Sequence, residues 1–222
     1  MDELDRPLTA RESQVMAHLL AAVERDSQMT QRSLSKELGI ALGLANAYLK
    51  RCMHKGLIKV RQVPLNRYAY YLTPHGFAEK SRLTAQYLTD SFNLFHDARQ
   101  QYAEIFRQCG RRAWHRIALV GHSELAEIAI LSAGDGATRI VCVIDPRGGP
   151  RCAGRPAVGC LGEAMDIENG VDALVISDLS NPQAAFDDSV RQASAAGLSS
   201  ERVLAPDLLN ISRTPVREAA EE

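Results

Sequence analysis

Residues 30–73 read TQRSLSKELGIALGLANAYLKRCMHKGLIKVRQVPLNRYAYYLT, and this stretch decides the fold of the first part of the chain. Thr30 is a suitable N-cap for a short helix, and Gly39 follows it where a left-handed residue is favoured. A second helix is predicted from near Leu42 to Gly56. Its apolar residues recur at steps of three and four, which predicts a buried face made of Ala45, Leu49, Cys52 and Met53.

Two strand-like runs follow this pair of helices. Residues 57–61 and 68–72 are rich in β-branched and aromatic side chains, and the turn-forming residues 64–67 separate them, which predicts a hairpin. Helix, tight turn, helix and hairpin in this order form a winged helix-turn-helix, whose second helix enters the major groove of DNA. The partner expected from this arrangement is double-stranded DNA.

The charge of this segment supports the same interpretation. Residues 27–76 contain eight basic residues and one acidic residue, a net charge of +7, whereas the whole 222-residue chain has a formal net charge of −1. From residue 77 onward, 15 basic and 20 acidic residues give −5. The positive charge is therefore local, as a phosphate-binding surface requires; the alternative is a solvated surface without a partner.

Six side chains are candidates for contacts with DNA: Arg32, Asn46, Lys50, Arg51, Arg61 and Arg67. Asn46, Lys50 and Arg51 are expected on the outer face of the second helix, the first to read adenine and the other two to reach guanine or phosphate. Arg61 and Arg67 flank the hairpin tip, which is placed to enter or grip a neighbouring minor groove. Arg32, on the first helix of the pair, is expected either to contact phosphate or to be solvated.

Further helices are predicted on both sides of this segment. Thr9 and Glu12 form the sequence of a capping box in front of a helix over residues 10–23. Thr73 as N-cap and Pro74 at the first helical position open a helix of roughly 35 residues, about 50 Å long. Its apolar stripe favours a homodimer, in which the same helix of a second copy covers it; the alternative is that the stripe folds back on the chain's own second domain.

Strands alternate with helices in the second half of the chain. Strands are predicted near residues 117–120, 139–145, 157–160, 173–177 and 203–205, with a helix over 182–196. This alternation predicts a small, parallel Rossmann-like sheet of four or five strands, so the fold class is α/β. Four segments are expected: a winged-helix DNA-binding domain (9–73), a linking and dimerisation helix (74–109), a Rossmann-like ligand-binding domain (115–206) and a tail (207–222), which is expected to be loose from residue 211.

The loop after the first strand of the sheet has two interpretations. Gly121, His122 and Ser123 resemble a nucleophile elbow, but no histidine follows His122 to act as the base, so a hydrolase is excluded. In a nucleotide site, the glycine allows the tight turn, amides from Ser123 onward meet a phosphate, and Asp145 binds a ribose. Ser123 and Ala126 replace glycines of the dinucleotide fingerprint. The candidate ligand-binding residues are Gly121, His122, Ser123, Glu124, Asp145 and Ser177.

Several features bound the function more loosely. Arg147, Arg151 and Arg155 follow the second strand and are expected either to meet further phosphates or to be solubility charges. The five cysteines are scattered and lack a zinc-ligand pattern, so reduced thiols and no metal are expected. No leader-like segment or run of about twenty apolar residues occurs, so the expectation is a cytoplasmic protein without membrane contact.

Residues from about 10 to 107 resemble the MarR-type winged-helix regulators associated with bacterial exopolysaccharide and lipopolysaccharide gene clusters. The resemblance rests on residues 31–40, 55–60 and 71–76 and, above all, on residues 79–84, EKSRLT. It implies a dimeric, operator-binding repressor or activator. The predicted recognition helix differs from that of the family, because Leu44 and Ala47 stand where more polar residues are expected. The family's role is therefore expected here, but not the DNA sequence of its operators.

Residues from about 116 to 205 resemble, more loosely, the Rossmann domains that begin nucleotide-sugar dehydratases and sugar acyltransferases. In those domains a Gly-rich loop, a strand that ends in Asp (here Asp145) and a later strand that opens to small polar residues (here Ser177 and Asp178) surround the ligand. A dehydratase would need a tyrosine and a lysine in this domain, but the chain has no tyrosine after Tyr102 and no lysine after Lys80. We therefore expect a sensor of a nucleotide, nucleotide-sugar or NAD(H), the last as in Rex repressors, and not an enzyme. The alternative is a ligand-free module for dimerisation or partner docking.

Overall fold

The computed structural model of the protein describes residues 9–63, 67–134, 136, 138–147, 151–167 and 169–213. The chain divides into two compact units between Phe92 and Asn93, within one long helix. The N-terminal unit contains α1 (Ala10–Arg25), α2 (Gln31–Glu37), α3 (Leu42–His54), β1 (Ile58–Val63), β2 (Arg67–Leu72) and the first part of α4 (Pro74–Arg111). β1 and β2 pair antiparallel, which confirms the predicted hairpin and the winged helix-turn-helix order. The middle of its predicted turn, residues 64–66, lies outside the described residues.

Local capping explains where the first two helices begin. The hydroxyl of Thr9 accepts from the amide of Glu12, whose carboxylate accepts from the amide of Thr9, so the predicted capping box is present. Thr30 and Ser33 form the same reciprocal pair at the start of α2. Gly39 has φ +63° between α2 and α3, which confirms the expected left-handed residue.

The junction of the hairpin with α4 depends on two residues of the segment 71–76. The Thr73 hydroxyl donates to the carbonyl of Gly56 at 2.7 Å and accepts from the amide of Gly76 at 3.0 Å, so Thr73 caps α4 as predicted. A Cβ at Gly76 would lie 2.1 Å from the carbonyl oxygen of Leu57. Only glycine therefore lets the start of α4 approach the backbone at the beginning of β1.

The core of the N-terminal unit is built from α1, α2, α3, the hairpin and the first part of α4. Its most enclosed large side chains are Met16, Leu19, Leu20, Leu34, Leu49, Leu57 and Leu83. Full burial of each such side chain contributes about 1.5–3 kcal/mol. Leu83 lies on α4, so that helix is part of the domain and not only its exit.

The C-terminal unit is a parallel-dominated sheet with helices. Its strands are β3 (Arg116–Val120), β4 (Arg139–Ile144), β5 (Arg151–Cys152), β6 (Arg155–Val158), β7 (Ala173–Ile176) and β8 (Val203–Leu204), and its helices are α5 (Glu124–Ala133), α6 (Leu161–Asp166) and α7 (Pro182–Ala195). In the described residues the strand order is β5-β6-β4-β3-β7-β8, and every pair is parallel except β5 with β6. The five parallel strands follow the 3-2-1-4-5 order of doubly wound sheets, which confirms the predicted fold class.

The sheet differs from the prediction at one edge. The third parallel strand begins at Arg155, two residues before the predicted start, and β5 precedes it as an antiparallel edge strand of two residues. A strand of two residues has no periodicity from which it can be predicted.

The apolar stripe of α4 has two different environments. Its C-terminal residues Ala98, Tyr102, Ile105 and Cys109 are buried in the core of the C-terminal unit, so for them packing on the chain's own second domain is confirmed. Further upstream on the 38-residue helix, which is about 57 Å long, Phe77 and Leu88 of the stripe are exposed, and so are Tyr87, Phe92 and Leu94 outside it. In this chain, only the C-terminal part of the stripe is covered.

The end of the described chain is held in place. The side chain of Gln183 exchanges two hydrogen bonds with the backbone of Ser212, and Ile211 packs against an apolar cluster of the C-terminal unit. The prediction of a loose segment from residue 211 is therefore wrong for residues 211–213, because Ile211 packs on the core, Gln183 binds the backbone of Ser212, and Arg213 donates to the carbonyl of Ala205. Among the described residues, no helix combines the length and apolar character that a membrane crossing needs.

Candidate functional site

The outward face of α3 is largely apolar. Leu42 and Leu44 are 46% and 47% exposed, and Ala47 and Lys50 are also exposed. Asn46 is half-buried, and its side-chain oxygen accepts no hydrogen bond from the described residues. This face can contact thymine methyl groups through its apolar atoms, while Lys50 supplies a cation.

Arg51 does not lie on that face. It is 5% exposed, so the prediction that it points outward is wrong. Arg51 follows the core residue Tyr48 by three positions and therefore lies on the flank of the buried face, where its alkyl stem can be covered. Burial raises the pKa of the adjacent Cys52 thiol to about 12, against the opposing charges of Arg51 and Lys55.

Other cations of the N-terminal unit are exposed. Arg32 on α2 and Arg61 on β1 are open to solvent, and so is Lys59, two residues before Arg61 on the same face of the strand. Lys59 was absent from the predicted contacts, although its spacing from Arg61 is the signal that could have identified it. Arg67 begins β2, and its side chain lies outside the described residues. The role of each candidate toward DNA stays a prediction.

A second candidate site lies at the carboxyl ends of β3, β4 and β7. A cleft of about 230 Å³ opens there and is lined by Gly121, Asp145, Arg147, Asp178 and Asn181, among others. β4 and β7 flank β3 on opposite sides, so the strand order reverses at this point. Ligands of open α/β sheets bind at such a point, outside the carboxyl ends of the strands.

Gly121 is required by the packing of the chain itself. It has φ +102°, and a Cβ there would lie 2.5 Å from the Cα of Asp178. The glycine therefore allows the loop after β7 to approach the loop after β3. This close approach brings the ends of the two strands together at the cleft.

The residues directly after Gly121 form hydrogen bonds within the chain. The amide of His122 donates to the Asp145 carboxylate at 2.9 Å. The hydroxyl of Ser123 caps α5 by accepting from the amide of Leu125 at 3.1 Å, and it donates to the carbonyl of Ser177. Glu124 is exposed in the first turn of α5, where its charge is favourable to the helix dipole.

The Asp145 carboxylate accepts four hydrogen bonds. It accepts from the amides of His122 and Arg147 at 2.9 and 2.8 Å, and from the Arg147 Nε and Nη2 at 3.2 and 3.4 Å. Burial alone would raise the pKa of this carboxyl. The hydrogen bonds from the Arg147 side chain and from the two amides, with the charge of Arg147, outweigh burial and lower the pKa of Asp145.

The loop after β7 completes the cleft. Ser177 is fully buried, and its one hydroxyl hydrogen is shared between the carbonyls of Gly121 at 2.7 Å and Val120 at 3.1 Å. Asp178 accepts from the amides of Ser180 and Asn181 at 2.6 and 2.8 Å. It also accepts from the Arg147 Nη2 at 2.7 Å, so Arg147 bridges Asp145 and Asp178.

The structure thus arranges the six predicted ligand residues in one region with different exposure. Gly121 and Asp145 line the cleft, Ser177 is enclosed next to it, and His122, Ser123 and Glu124 form the adjoining loop and the first turn of α5. Their roles toward a ligand stay predictions. The bridge to Asp178 was not predicted, because it joins two loops that are 31 residues apart.

The sequence of residues 18–59 matches the winged helix-turn-helix DNA-binding family. The match spans the second half of α1, the α2–α3 pair and the start of the hairpin, and the fold agrees with it. The N-terminal unit therefore has the winged helix-turn-helix fold of that family, and the match supports a DNA-binding regulator.

A search of the curated proteins finds no significant match. Among solved structures, the chain is similar to one described as "PigF with SAH", with 12% sequence identity and a TM-score of 0.22. The alignment covers 90% of this chain and 62% of that chain, so the protein spans less than two thirds of its length. A likeness this weak carries no argument about ligand or function.

Proposed function

We propose that the protein is a homodimeric transcriptional regulator of the cytoplasm whose Rossmann-like domain senses a nucleotide or a nucleotide-sugar. The observation that carries the proposal is the winged-helix domain with its local positive charge, joined by one continuous helix to a domain with a cleft at the reversal of its strand order. The sequence resemblance to MarR-type regulators supports polysaccharide or cell-surface genes as the target. The protein acts as a sensor and not as an enzyme.

Binding of duplex DNA is tested by a salt titration with the full-length protein. Because Arg32, Lys50 and Arg61 are exposed cations, association should release counterions, and the logarithm of affinity should fall linearly with the logarithm of salt concentration. Absence of affinity at low salt, or affinity without a salt slope, would contradict the DNA-binding half of the proposal.

The homodimer is supported by the exposed apolar side chains of α4. Leu88 and Phe92, one turn apart on one side of the helix, are 48% and 61% exposed, and a second copy of the same helix would cover them. Native mass spectrometry of the full-length protein should show a dimer, and Phe92→Glu should shift it to a monomer. Asp90→Lys is the control, because two residues along a helix place its side chain on the opposite side. A wild-type monomer would contradict the homodimer.

Ligand sensing is supported by the connection of the cleft to α4. The hydroxyl of Tyr102 on α4 donates to the carbonyl of Ile176 at 2.9 Å, and Ile176 directly precedes Ser177 and Asp178 of the cleft. A ligand that moved the loop after β7 would therefore act on α4, which continues into the DNA-binding domain. A discrete added mass on the protein, either retained or taken up from added nucleotides, nucleotide-sugars or NAD(H), would support ligand binding, and a change in the affinity for DNA with that ligand would support the coupling.

A second candidate function is a constitutive regulator whose C-terminal domain serves only for dimerisation or partner docking. The observation in its favour is that Arg147 and the amide of His122 already satisfy the Asp145 carboxylate. A dimer whose mass is unchanged by every added nucleotide and nucleotide-sugar, with unchanged affinity for DNA, would favour this candidate.

A further inference from the structure

The guanidinium of Arg147 lies across the cleft between the ends of β4 and β7. Its Nη2 is 2.7 Å from a carboxylate oxygen of Asp178, and its Nε is 3.2 Å from one of Asp145. The side chain of Arg147 is 63% exposed, whereas those of Asp145 and Asp178 are 4% and 11% exposed. A solvent-exposed cation therefore spans two carboxylates that the chain holds in place.

The hydrogen bonds of Asp145 fall into two groups. An ionised carboxylate offers about four acceptor positions. Two are used by the amides of His122 and Arg147 at 2.9 and 2.8 Å, and these backbone bonds fix the carboxylate. The other two are used by guanidinium contacts of 3.2 and 3.4 Å, which are longer than the usual charge-assisted hydrogen bond of about 2.7–2.9 Å. These two positions are exchangeable, and two adjacent hydroxyl groups can donate to them.

The charge of the cleft decides where a phosphate can bind. Among the described residues that line it, Asp145, Asp178 and Asp188 are acidic and Arg147 is basic. A phosphate would otherwise bind at the first turn of α5, but this turn carries Glu124 and Glu127. The nearby amide of His122 already donates its hydrogen to Asp145. Arg147 is the basic group among these residues, and its Nε and Nη2 are free to form a bidentate pair with an anion only when it leaves Asp145.

The size of the cleft limits the ligand. About 230 Å³ is below the roughly 300–1,000 Å³ of pockets that enclose drug-sized molecules. Apolar side chains of Val120, Ile144, Leu161 and Leu174 line part of it and can contact a base. The space within the cleft suits one nucleoside.

We infer that Arg147 is an exchangeable latch, which the vicinal diol of a nucleoside displaces from Asp145 and which then pairs with the phosphate of that same ligand. The inference rests on the proposed ligand-sensing function and narrows its ligand to a nucleoside phosphate with an intact ribose diol. Asp145 holds the diol, the released guanidinium holds the phosphate, and Asp178 keeps its two backbone hydrogen bonds.

Isothermal titration of the full-length protein with adenosine, uridine, their 5′-monophosphates and the 2′-deoxy forms tests the latch. The wild type should bind one monophosphate about tenfold more tightly than its nucleoside, and the 2′-deoxy form should bind more weakly. Arg147→Gln should bind the nucleoside about twofold to fivefold more tightly than the wild type, since a competing exposed ion pair is removed. The same variant should lose the preference for the monophosphate. Arg139→Gln, at the opposite end of β4, is the matched control and should behave like the wild type.

The outcomes separate the latch from the function on which it rests. If a nucleotide binds but Arg147→Gln changes neither constant, or the 2′-deoxy form binds equally well, the latch is wrong and ligand sensing stands. If no nucleoside or monophosphate binds to the wild type or to a folded Arg147→Gln variant at millimolar concentration, the latch is wrong. If no nucleotide-sugar binds either, the proposed ligand sensing is wrong as well, and the docking module takes its place.

Discussion

The two units of the protein use charged residues in opposite ways. In the N-terminal unit, Lys50, Lys59 and Arg61 are exposed on the recognition helix and the wing. In the C-terminal unit, Asp145 and Asp178 are buried and share one arginine. Exposed cations on a winged-helix fold indicate a polyanionic partner. The charges of the cleft are paired with one another, so only those hydrogen bonds that a ligand can replace indicate what the ligand is.

The largest effects should come from adding one methyl group to a glycine in each unit. Gly76→Ala places a Cβ 2.1 Å from a backbone oxygen, and Gly121→Ala places one 2.5 Å from a backbone carbon at a positive φ. Each should cost about 3 kcal/mol or more in the free energy of unfolding of its own unit. Thermal unfolding followed by circular dichroism, with duplex binding measured in parallel, should show binding lost in Gly76→Ala and retained in Gly121→Ala.

The control for this pair is Gly162→Ala on α6, where the nearest atom is the Cys160 sulfur at an ordinary 3.7 Å. The free energy of unfolding of this variant should be unchanged or slightly higher, because alanine favours helices. Loss of duplex binding in Gly121→Ala as complete as in Gly76→Ala would show that the two units do not fold separately, and the comparison would fail.

Two neighbouring cations of α3 should have different effects. Lys50→Ala removes an exposed charge and should weaken duplex binding by about 1 kcal/mol and lower the salt slope by about 1, without changing stability. Arg51→Ala removes a buried side chain and should instead lower the free energy of unfolding by about 1–3 kcal/mol. Denaturant titration and duplex binding distinguish the two. Unchanged stability with lost base discrimination in Arg51→Ala would restore the predicted contact with guanine.

The sequence predicted those features that depend on neighbouring residues. Thr9, Thr30 and Thr73 act through hydrogen bonds within a few positions, so the starts of their helices follow from local chemistry. The burial of Arg51 could not be predicted, because apolar periodicity counts a long basic side chain as outward whatever its stem contacts. The Arg147 bridge depends on where two distant loops meet, which the sheet order fixes and no short motif encodes.

A smaller effect is expected where the cleft is joined to α4. Tyr102→Phe removes the hydroxyl that donates to the buried carbonyl of Ile176 and should destabilise the C-terminal unit by about 1–2 kcal/mol. Affinity for DNA without ligand should be unchanged, whereas any change of that affinity caused by a bound nucleotide should be reduced. Phe106→Leu, in the same core but without a hydroxyl, is the control for packing alone. An unaltered ligand response in Tyr102→Phe would show that this contact does not transmit it.

The smallest effect is a dependence of the C-terminal unit on acid. The pKa of Asp145 is lowered from its ordinary value of 3.8, so the folded state binds its proton less readily than the unfolded chain does. The resulting stability is fully present above about pH 4 and is lost as pH falls through the lowered pKa. The difference in melting temperature between the wild type and Asp145→Asn should therefore be constant near neutral pH and shrink in acid. Since the arginine is part of the cause, Arg147→Gln should lose this stability at a higher pH than the wild type. The contrary result is a difference in melting temperature between the wild type and Asp145→Asn that is the same at pH 7 and below pH 3. That result would show that the neighbours of Asp145 do not stabilise its charge. Asp145 would then no longer support the contrast between the exposed cations of the N-terminal unit and the paired charges of the C-terminal unit.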